Sequence, residues 1–284
     1  ARLSDYSELK KHKPITIHMY LTLLNSQNQK KYDYIIVDES SMIDINLFLE
    51  LLKSIPNDKG LVFIGDGDQL SPIGPGQPFK DIIEANTLPL TRLTGNYRQD
   101  KLSPIVGASR AIRQGKVPDK WNNDEFEFIE CLIDQQSKII IDLFFNNSKD
   151  KEKPQILSPQ RKGEAGIINI NNIIQHITAG SKNPIYERKD DNVKFFQGDK
   201  IIQTSNNYEL MVMNGDVGKI LRKDGNEFVI FINDKEINYT QKDIYQIELA
   251  YAISIHKSQG SEYPYTIIPI SSEHEYMLSR NLIY

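Results

Sequence analysis

The stretch Tyr32-Asp33-Tyr34-Ile35-Ile36-Val37-Asp38-Glu39-Ser40-Ser41 is an apolar run that ends abruptly on two adjacent carboxylates. A short run rich in Ile and Val, closed by acids and small polar residues, reads as a strand buried on both faces. Loops at the carboxyl ends of such strands line the ligand crevice of an open α/β sheet, which puts Asp38 and Glu39 at its mouth. A second run, Gly60-Leu61-Val62-Phe63-Ile64-Gly65-Asp66-Gly67-Asp68-Gln69-Leu70, repeats the pattern of hydrophobic strand, glycine and acid. Between them Leu47, Leu51 and Ile55 recur at helical spacing, so residues 44–55 read as the crossover helix of a βαβ unit. Two strand ends then bring Asp38, Glu39, Asp66, Asp68 and Gln69 close together. Paired acids beside a Gln suit a nucleoside triphosphatase: one carboxylate holds Mg²⁺ through water, its neighbour orients or deprotonates the attacking water, and the amide senses the γ-phosphate. Solvated loop acids at strand ends would look the same, so the pair alone does not decide.

At 284 residues the chain can bury a full core and has room for two domains, or one with a large insertion. The single cysteine, Cys131, excludes an internal disulfide framework, fits a reducing compartment, and reads as a small buried hydrophobe. No stretch approaches the roughly 20 apolar residues of a membrane span, and the start Ala1-Arg2-Leu3-Ser4 lacks a signal-peptide core, so the default location is cytoplasmic. The net charge of −4 argues against coating nucleic acid by bulk attraction, though not against a local basic groove.

Along the chain, Thr16 is an N-cap candidate for a short helix that carries His18, Leu21 and Leu24. The segment Leu70-Ser71-Pro72-Ile73-Gly74-Pro75-Gly76-Gln77-Pro78 is too rich in Pro and Gly for a strand or helix interior and reads as an ordered loop, because helical spacing resumes at Phe79. Residues 87–99 read as a short strand leading to Asn96-Tyr97-Arg98-Gln99, where Arg98 could reach a phosphate bidentately or serve a surface ion pair. Helices are expected through Ile105, Ala108 and Ile112, from about Ile129 to Phe145, and from Ile167 to Ile177, with a turn at Trp121-Asn122-Asn123-Asp124 and a strand at 155–159. From about residue 181, Gly, Asn and Asp punctuate short Ile/Val/Phe runs every 8 to 12 residues, the rhythm of a small all-β unit such as a barrel. Buried-strand character returns over 247–254. It breaks into the polar octet Ile255-His256-Lys257-Ser258-Gln259-Gly260-Ser261-Glu262, which suits phosphate and sugar contacts or a plain surface loop, and a last strand follows at 265–270.

In their fixed order these segments resemble the motifs of superfamily 1 helicases, and most closely the RecD-like branch, the alpha chain of exodeoxyribonuclease V and its stand-alone relatives. Thr16-Ile17-His18 resembles motif Ia, Val37 to Met42 motif II, Gly65 to Gly76 motif III, Asn96 to Gln99 motif IV, and Ala250 to Glu262 motif V. Gln155 to Pro159 and Asn214 to Gly218 are similar to further signatures of that branch. The resemblance implies an α/β fold of two RecA-like parallel-sheet domains, the first incomplete, with a small all-β barrel inserted in the second. Residues 1–95 would belong to the first, 96–180 and 247–284 to the second, and 181–246 to the barrel. It implies ATP and Mg²⁺ as cofactors, with Asp38 on the metal through water, Glu39 activating water, and Gln69 and Arg98 on the γ-phosphate. Gly260 and Glu262 would face the nucleotide, while Thr16, His18, His256, Lys257, Ser258 and Gln259 would line a path for single-stranded DNA. Expected partners are that DNA and the nuclease and helicase subunits of an exodeoxyribonuclease V complex, with no membrane. The family's usual polarity is 5′ to 3′.

Two departures stand beside the matches. No G-x-x-x-x-G-K-[ST] phosphate loop occurs in the chain, and it stops at Tyr284, where the family continues into motif VI with its arginine finger. Such a finger is worth about 10³ to 10⁵ in rate in related enzymes, so the 284 residues as written are expected to turn over ATP poorly. Two other readings compete: a module that holds nucleic acid or a partner without hydrolysis, and a conjugative relaxase-type or RNA helicase of the same superfamily.

Overall fold

The computed structural model describes residues 14–24, 32–93, 103–118, 125–146, 153–188 and 190–284. The chain divides into two compact units, one of Ala1–Phe126 with Arg280–Tyr284 and one of Glu127–Ser279.

The first unit is built on the βαβ pattern. After α1 (Ile17–Leu24), β1 (Tyr34–Val37) runs parallel to β2 (Gly60–Phe63) with Val37 opposite Phe63, and α2 (Ile45–Ser54) makes the crossover. Helix α2 starts where Asp44 accepts a hydrogen bond from Leu47 N at 2.9 Å, which satisfies one of the orphan donors of its first turn. Its apolar face supplies Leu51, 1% exposed, to a core with Val37 and Ile43, against which Ile17, Tyr20, Phe48 and Phe63 also pack. Helices α3 (Pro78–Ala85), α4 (Pro104–Arg113) and, from the chain's far end, α8 (Arg280–Ile283) complete the unit. The Pro/Gly loop before α3 is ordered: Ile45 N donates to Pro75 O at 2.9 Å, and Gly74 packs directly on Asp44.

Two expectations need correction here. The first strand is covered on one face only, because α2 packs on the side of Ile35 and Val37 while Tyr34 and Ile36 stay exposed. Residues 87–93 form no strand; Pro89 offers no N–H and Leu88 and Leu90 remain exposed. The segment Asn96-Tyr97-Arg98-Gln99 and the expected turn at Trp121–Asp124 lie outside the described residues.

In the second unit a parallel sheet has β3 (Gln155–Ser158) at its centre, flanked by β11 (Ala252–Ser254) and β12 (Thr266–Ile267). Helices α5 (Gln136–Asn146) and α6 (Ile167–Ala179) pack on it through Ile140, Phe144, Ile170 and Ile174. The helix expected from Ile129 begins only at Gln136, after a 3-10 turn over Ile133–Gln135 that leaves Phe128, Ile129 and Leu132 exposed. Cys131 is half-buried.

Between α6 and β11 in the chain come a hairpin, β4 (Tyr186–Arg188) with β5 (Val193–Phe195), and an antiparallel sheet in the order β10-β6-β7-β8-β9. Its strands are β6 (Lys200–Gln203), β7 (Val217–Asp224), β8 (Glu227–Ile232), β9 (Lys235–Tyr239) and β10 (Ile247–Leu249). Asn233 and Asp234, both at positive φ, make the two-residue turn from β8 to β9. Phe195, Ile220, Phe228, Ile230 and Tyr239 give this sheet a core of its own. The run read as one strand over 247–254 is thus two. Leu249 still pairs with β6, whereas Ala252 pairs with β3. Buried side chains tie the two sheets: Asn171 of α6 brackets Ala252 of β11 with bonds of 2.8 and 2.9 Å and also donates to Leu249 O of β10 at 3.2 Å, and Asp199, just before β6, accepts from Tyr251 OH at 2.9 Å and Gln175 Nε2 at 2.6 Å. Among the described residues no helix is long and apolar enough to cross a membrane.

Candidate active site

Parallel pairing sets the ends of β1 and β2 side by side. Ile64 N donates to Val37 O at 2.8 Å and Ser40 N to Ile64 O at 2.9 Å, so the ladder continues one step past the strands. The chain then reverses. Glu39 takes φ 51° and ψ 42°, the left-handed region that a long L side chain rarely adopts. Asp38, exposed, accepts from Glu39 N at 2.9 Å, and buried Ser40 donates from Oγ to Val37 O at 2.8 Å. Gly65 lets β2 come this near: a Cβ there would stand 3.1 Å from Ser40 N and 3.0 Å from the Phe79 ring.

The turn after β2 is built by its own acid. Asp66 accepts from Asp68 N at 2.9 Å, and Gln69 N donates to Asp66 O at 3.3 Å. Helix α8 closes on this turn, with Asn281 Nδ2 donating to Gln69 O at 3.2 Å and Tyr284 OH to Asp66 at 3.1 Å. Burial, and then the Asp66 charge, push the Tyr284 phenol above its usual range. Arg113 lies 3.5 Å from Asp68. The structure therefore groups Asp38, Glu39 and the turn from Asp66 to Gln69 at one end of the β1–β2 sheet. Arg98 lies outside the described residues.

Thr16 caps α1, accepting from Met19 N at 3.2 Å, and His18, the second residue of the helix, is exposed. In the second unit the polar octet is a helical turn, α7 (Ile255–Ser258), capped by Ser254, which accepts from Lys257 N at 3.2 Å. Ser258 Oγ donates to Ile255 O at 2.7 Å and Gln259 N to His256 O, and Gly260 takes φ 77°. His256, Lys257, Ser258, Gln259, Gly260 and Glu262 thus form one continuous stretch leaving the carboxyl end of β11. Lys257 Nζ lies 3.3 Å from Glu248 of β10, and Arg161, in the loop after β3, donates to the same carboxylate at 3.2 Å. Sequence reading singled out neither Glu248 nor Arg161. The available signal was weak: Glu248 is the one acid in the apolar run 247–254.

Comparison with known proteins finds likenesses to helicases over most of the chain. A model of the AAA domain matches residues 7–132, and one of the UvrD-like helicase C-terminal domain matches residues 249–284. The ATP-dependent RecD2 DNA helicase of Deinococcus radiodurans is 30% identical over 258 residues, covering 89% of this chain and 34% of that protein. The RecBCD enzyme subunit RecD of Mycolicibacterium smegmatis is 25% identical, covering 90% of this chain and 48% of that subunit. The chain thus spans between a third and a half of the length of these relatives. Among solved structures, Bacteroides Pif1 bound to single-stranded DNA superposes with a TM-score of 0.55 at 15% identity, covering 95% of this chain and 70% of that one. Pif1 of Candida albicans superposes at 0.53 with 16% identity, covering 99% and 76%. At such identities the structural likeness speaks for the fold: mixed α/β with parallel sheets like the RecA-like domains of superfamily 1 helicases. Taken with the order of the motifs and the sequence likeness to RecD2 and RecD, it follows that the chain belongs to the RecD-like branch of the superfamily 1 helicases.

Proposed function

We propose that this chain is motor sequence of an ATP-driven DNA helicase that moves 5′ to 3′ along a single strand and serves recombination and repair. The observation that carries the reading is the acid pair Asp38-Glu39 at the tip of β1, beside the turn after β2 that leads into Gln69. A magnesium triphosphate asks for one or two protein carboxylates, since phosphate oxygens and waters complete its shell. Exposed Asp38 at a strand end fits that demand. In this reading Glu39 takes the proton of the attacking water, Gln69 and Arg98 contact the γ-phosphate, and Gly260 and Glu262 border the nucleotide. When bound, the metal supplies charge neutralisation for the leaving phosphate oxygens.

Thr16, His18, His256, Lys257, Ser258 and Gln259 would line the single-strand path, where polar loops track a backbone without a base code. Residues 1–95 are assigned by their motifs to the first motor domain, 96–180 with 247–284 to the second, and 181–246 to its inserted small barrel, a division that differs from the compact units, in which α4 and α8 lie with the first; the antiparallel sheet and its separate core support the barrel. Likeness to RecD subunits of RecBCD enzymes supports nuclease and helicase subunits as partners of the whole protein. With no phosphate loop in its 284 residues, this polypeptide alone is expected to hydrolyse ATP poorly.

The test is Glu39→Gln in the full-length protein. It should bind Mg-ATP as the wild type does but hydrolyse it orders of magnitude more slowly and fail to displace a strand from a 5′-tailed duplex, because the water loses its base while Asp38 stays. Unchanged steady-state turnover in that variant removes Glu39 from the chemistry.

A further inference from the structure

Two cations from widely separated parts of the chain meet one carboxylate. Arg161 follows β3 and Lys257 follows β11; these strands are parallel neighbours with Ser158 opposite Ser254, so both residues lie just beyond the same end of the sheet. Glu248 comes from β10 in the antiparallel sheet, opposite Ile202. Each of its oxygens takes one partner, Oε1 the Arg161 guanidinium at 3.2 Å and Oε2 the Lys257 ammonium at 3.3 Å. Burial pushes the Glu248 carboxyl up, but the two cations outweigh it and hold it below the usual carboxylate range. Arg188 also feels the Glu248 charge, yet it is buried and held bidentately by Asp191 at 2.7 to 3.1 Å. The cluster of Arg161, Glu248 and Lys257 therefore carries two positive charges against one negative.

All three side chains reach solvent, at 64%, 38% and 31% exposed for Arg161, Glu248 and Lys257. Exposed pairs of this kind add little stability. A guanidinium and an ammonium that grip the two oxygens of a carboxylate present the same donors to the two non-bridging oxygens of a phosphodiester. We propose that Arg161 and Lys257 form a phosphodiester site for the single strand, which Glu248 fills until a backbone phosphate displaces it. The proposal rests on the reading of α7 as part of the strand path. It adds Arg161 to that path and makes Glu248 the residue that sets the site's affinity.

The experiment measures binding of a fluorescent oligo(dT) to the full-length protein by anisotropy across a salt series. Arg161→Ala and Lys257→Ala should each weaken binding and flatten the log–log salt slope by about 0.7, the value of one single-strand phosphate contact. Glu248→Gln should tighten binding roughly three- to tenfold, since the competing charge is gone. In the Arg161→Ala background the same change should tighten it less. If Glu248→Gln binds no more tightly while Lys257→Ala still weakens binding, the phosphodiester site fails and the strand path stands. If neither Arg161→Ala nor Lys257→Ala changes affinity or slope, both fail. A fluorescent ATP analogue with Mg²⁺ distinguishes the source of the phosphate: its affinity should be the same in all three variants, and a shift confined to the nucleotide overturns the assignment to the strand. Thermal melts of each variant separate loss of fold from loss of contact, and tighter binding by Glu248→Gln at a lowered midpoint still supports the site.

Discussion

Glu39, the acid assigned to the attacking water, is held at a backbone conformation that costs a non-glycine residue on the order of 1 kcal/mol. The bonds around it keep it there: Asp38 takes its N–H, and Ser40 is fixed through both its N–H and its hydroxyl to the ends of β2 and β1. Strain held by such surroundings turns the chain sharply off the strand tip, where a relaxed residue would let the strand run on. His274 is a second residue in an unusual setting. It is fully buried, accepts from Ser271 N through Nδ1 at 3.3 Å, and finds no partner for Nε2 among the described residues. Burial holds its pKa below the ordinary 6.5, outweighing the nearby Glu273. The unfolded chain therefore takes up this proton first, so the contribution to stability is complete above about pH 6.5 and is lost as pH falls toward the folded value. Melting curves at about pH 7.5, 6.5 and 5.5 should show a falling midpoint for the wild type and a flatter dependence for His274→Gln, whatever its absolute stability. A dependence left unaltered by the replacement would assign it to other groups.

At the scale of elements, the loop that carries Gln69 toward α3 is anchored on the start of α2. A Cβ at Gly74 would stand 2.0 Å from Asp44 Oδ2 and 2.7 Å from its Cγ, while Asp44 Oδ1 caps the helix and Pro75 O takes Ile45 N. Gly74→Ala should therefore displace the cap and cost about 1 kcal/mol, as Asp44→Ala should by itself. Because the two act on the same bond, the double variant should cost clearly less than their sum, read by denaturant unfolding; strict additivity would show that Gly74 does not act through Asp44. Elements of this kind were legible in the sequence because their causes are local. Asp44 precedes an apolar helical stripe, Ile and Val crowd β1, and glycine punctuates the βαβ unit, so the acids at its end could be placed from spacing alone. Residues 87–93 and 129–132 were misread because apolar content suggests an element but cannot supply a partner to pair or pack with. The Arg161–Glu248–Lys257 cluster was invisible for another reason. It depends on β10 ending at Leu249 and β11 starting at Ala252, a switch of sheets set by pairings with β6 and β3 that lie far away in the chain.

At the scale of the molecule, the two-stranded sheet of the first unit is the feature out of keeping with its class. Parallel sheets of α/β proteins are covered on both faces, yet here Tyr34 is 69%, Ile36 57%, Val62 42% and Ile64 45% exposed. A row of apolar side chains on one open face is a surface that protein normally covers. The relatives are two to three times as long as the stretch they share with this chain, so in them further sequence is at hand for such a cover. Ile36→Ser combined with Val62→Ser makes the argument testable. In the 284-residue polypeptide the pair should move the melting midpoint little, since these side chains gain little from burial there, and should reduce concentration-dependent association seen by light scattering. In the full-length protein the same pair should lower the midpoint by several degrees, because each buried side chain then loses roughly 1.5–3 kcal/mol of transfer energy. Equally small shifts in both would mean that the face stays bare in the whole protein, and that the strand beneath Asp38 and Glu39 is not the buried parallel strand of a completed motor domain.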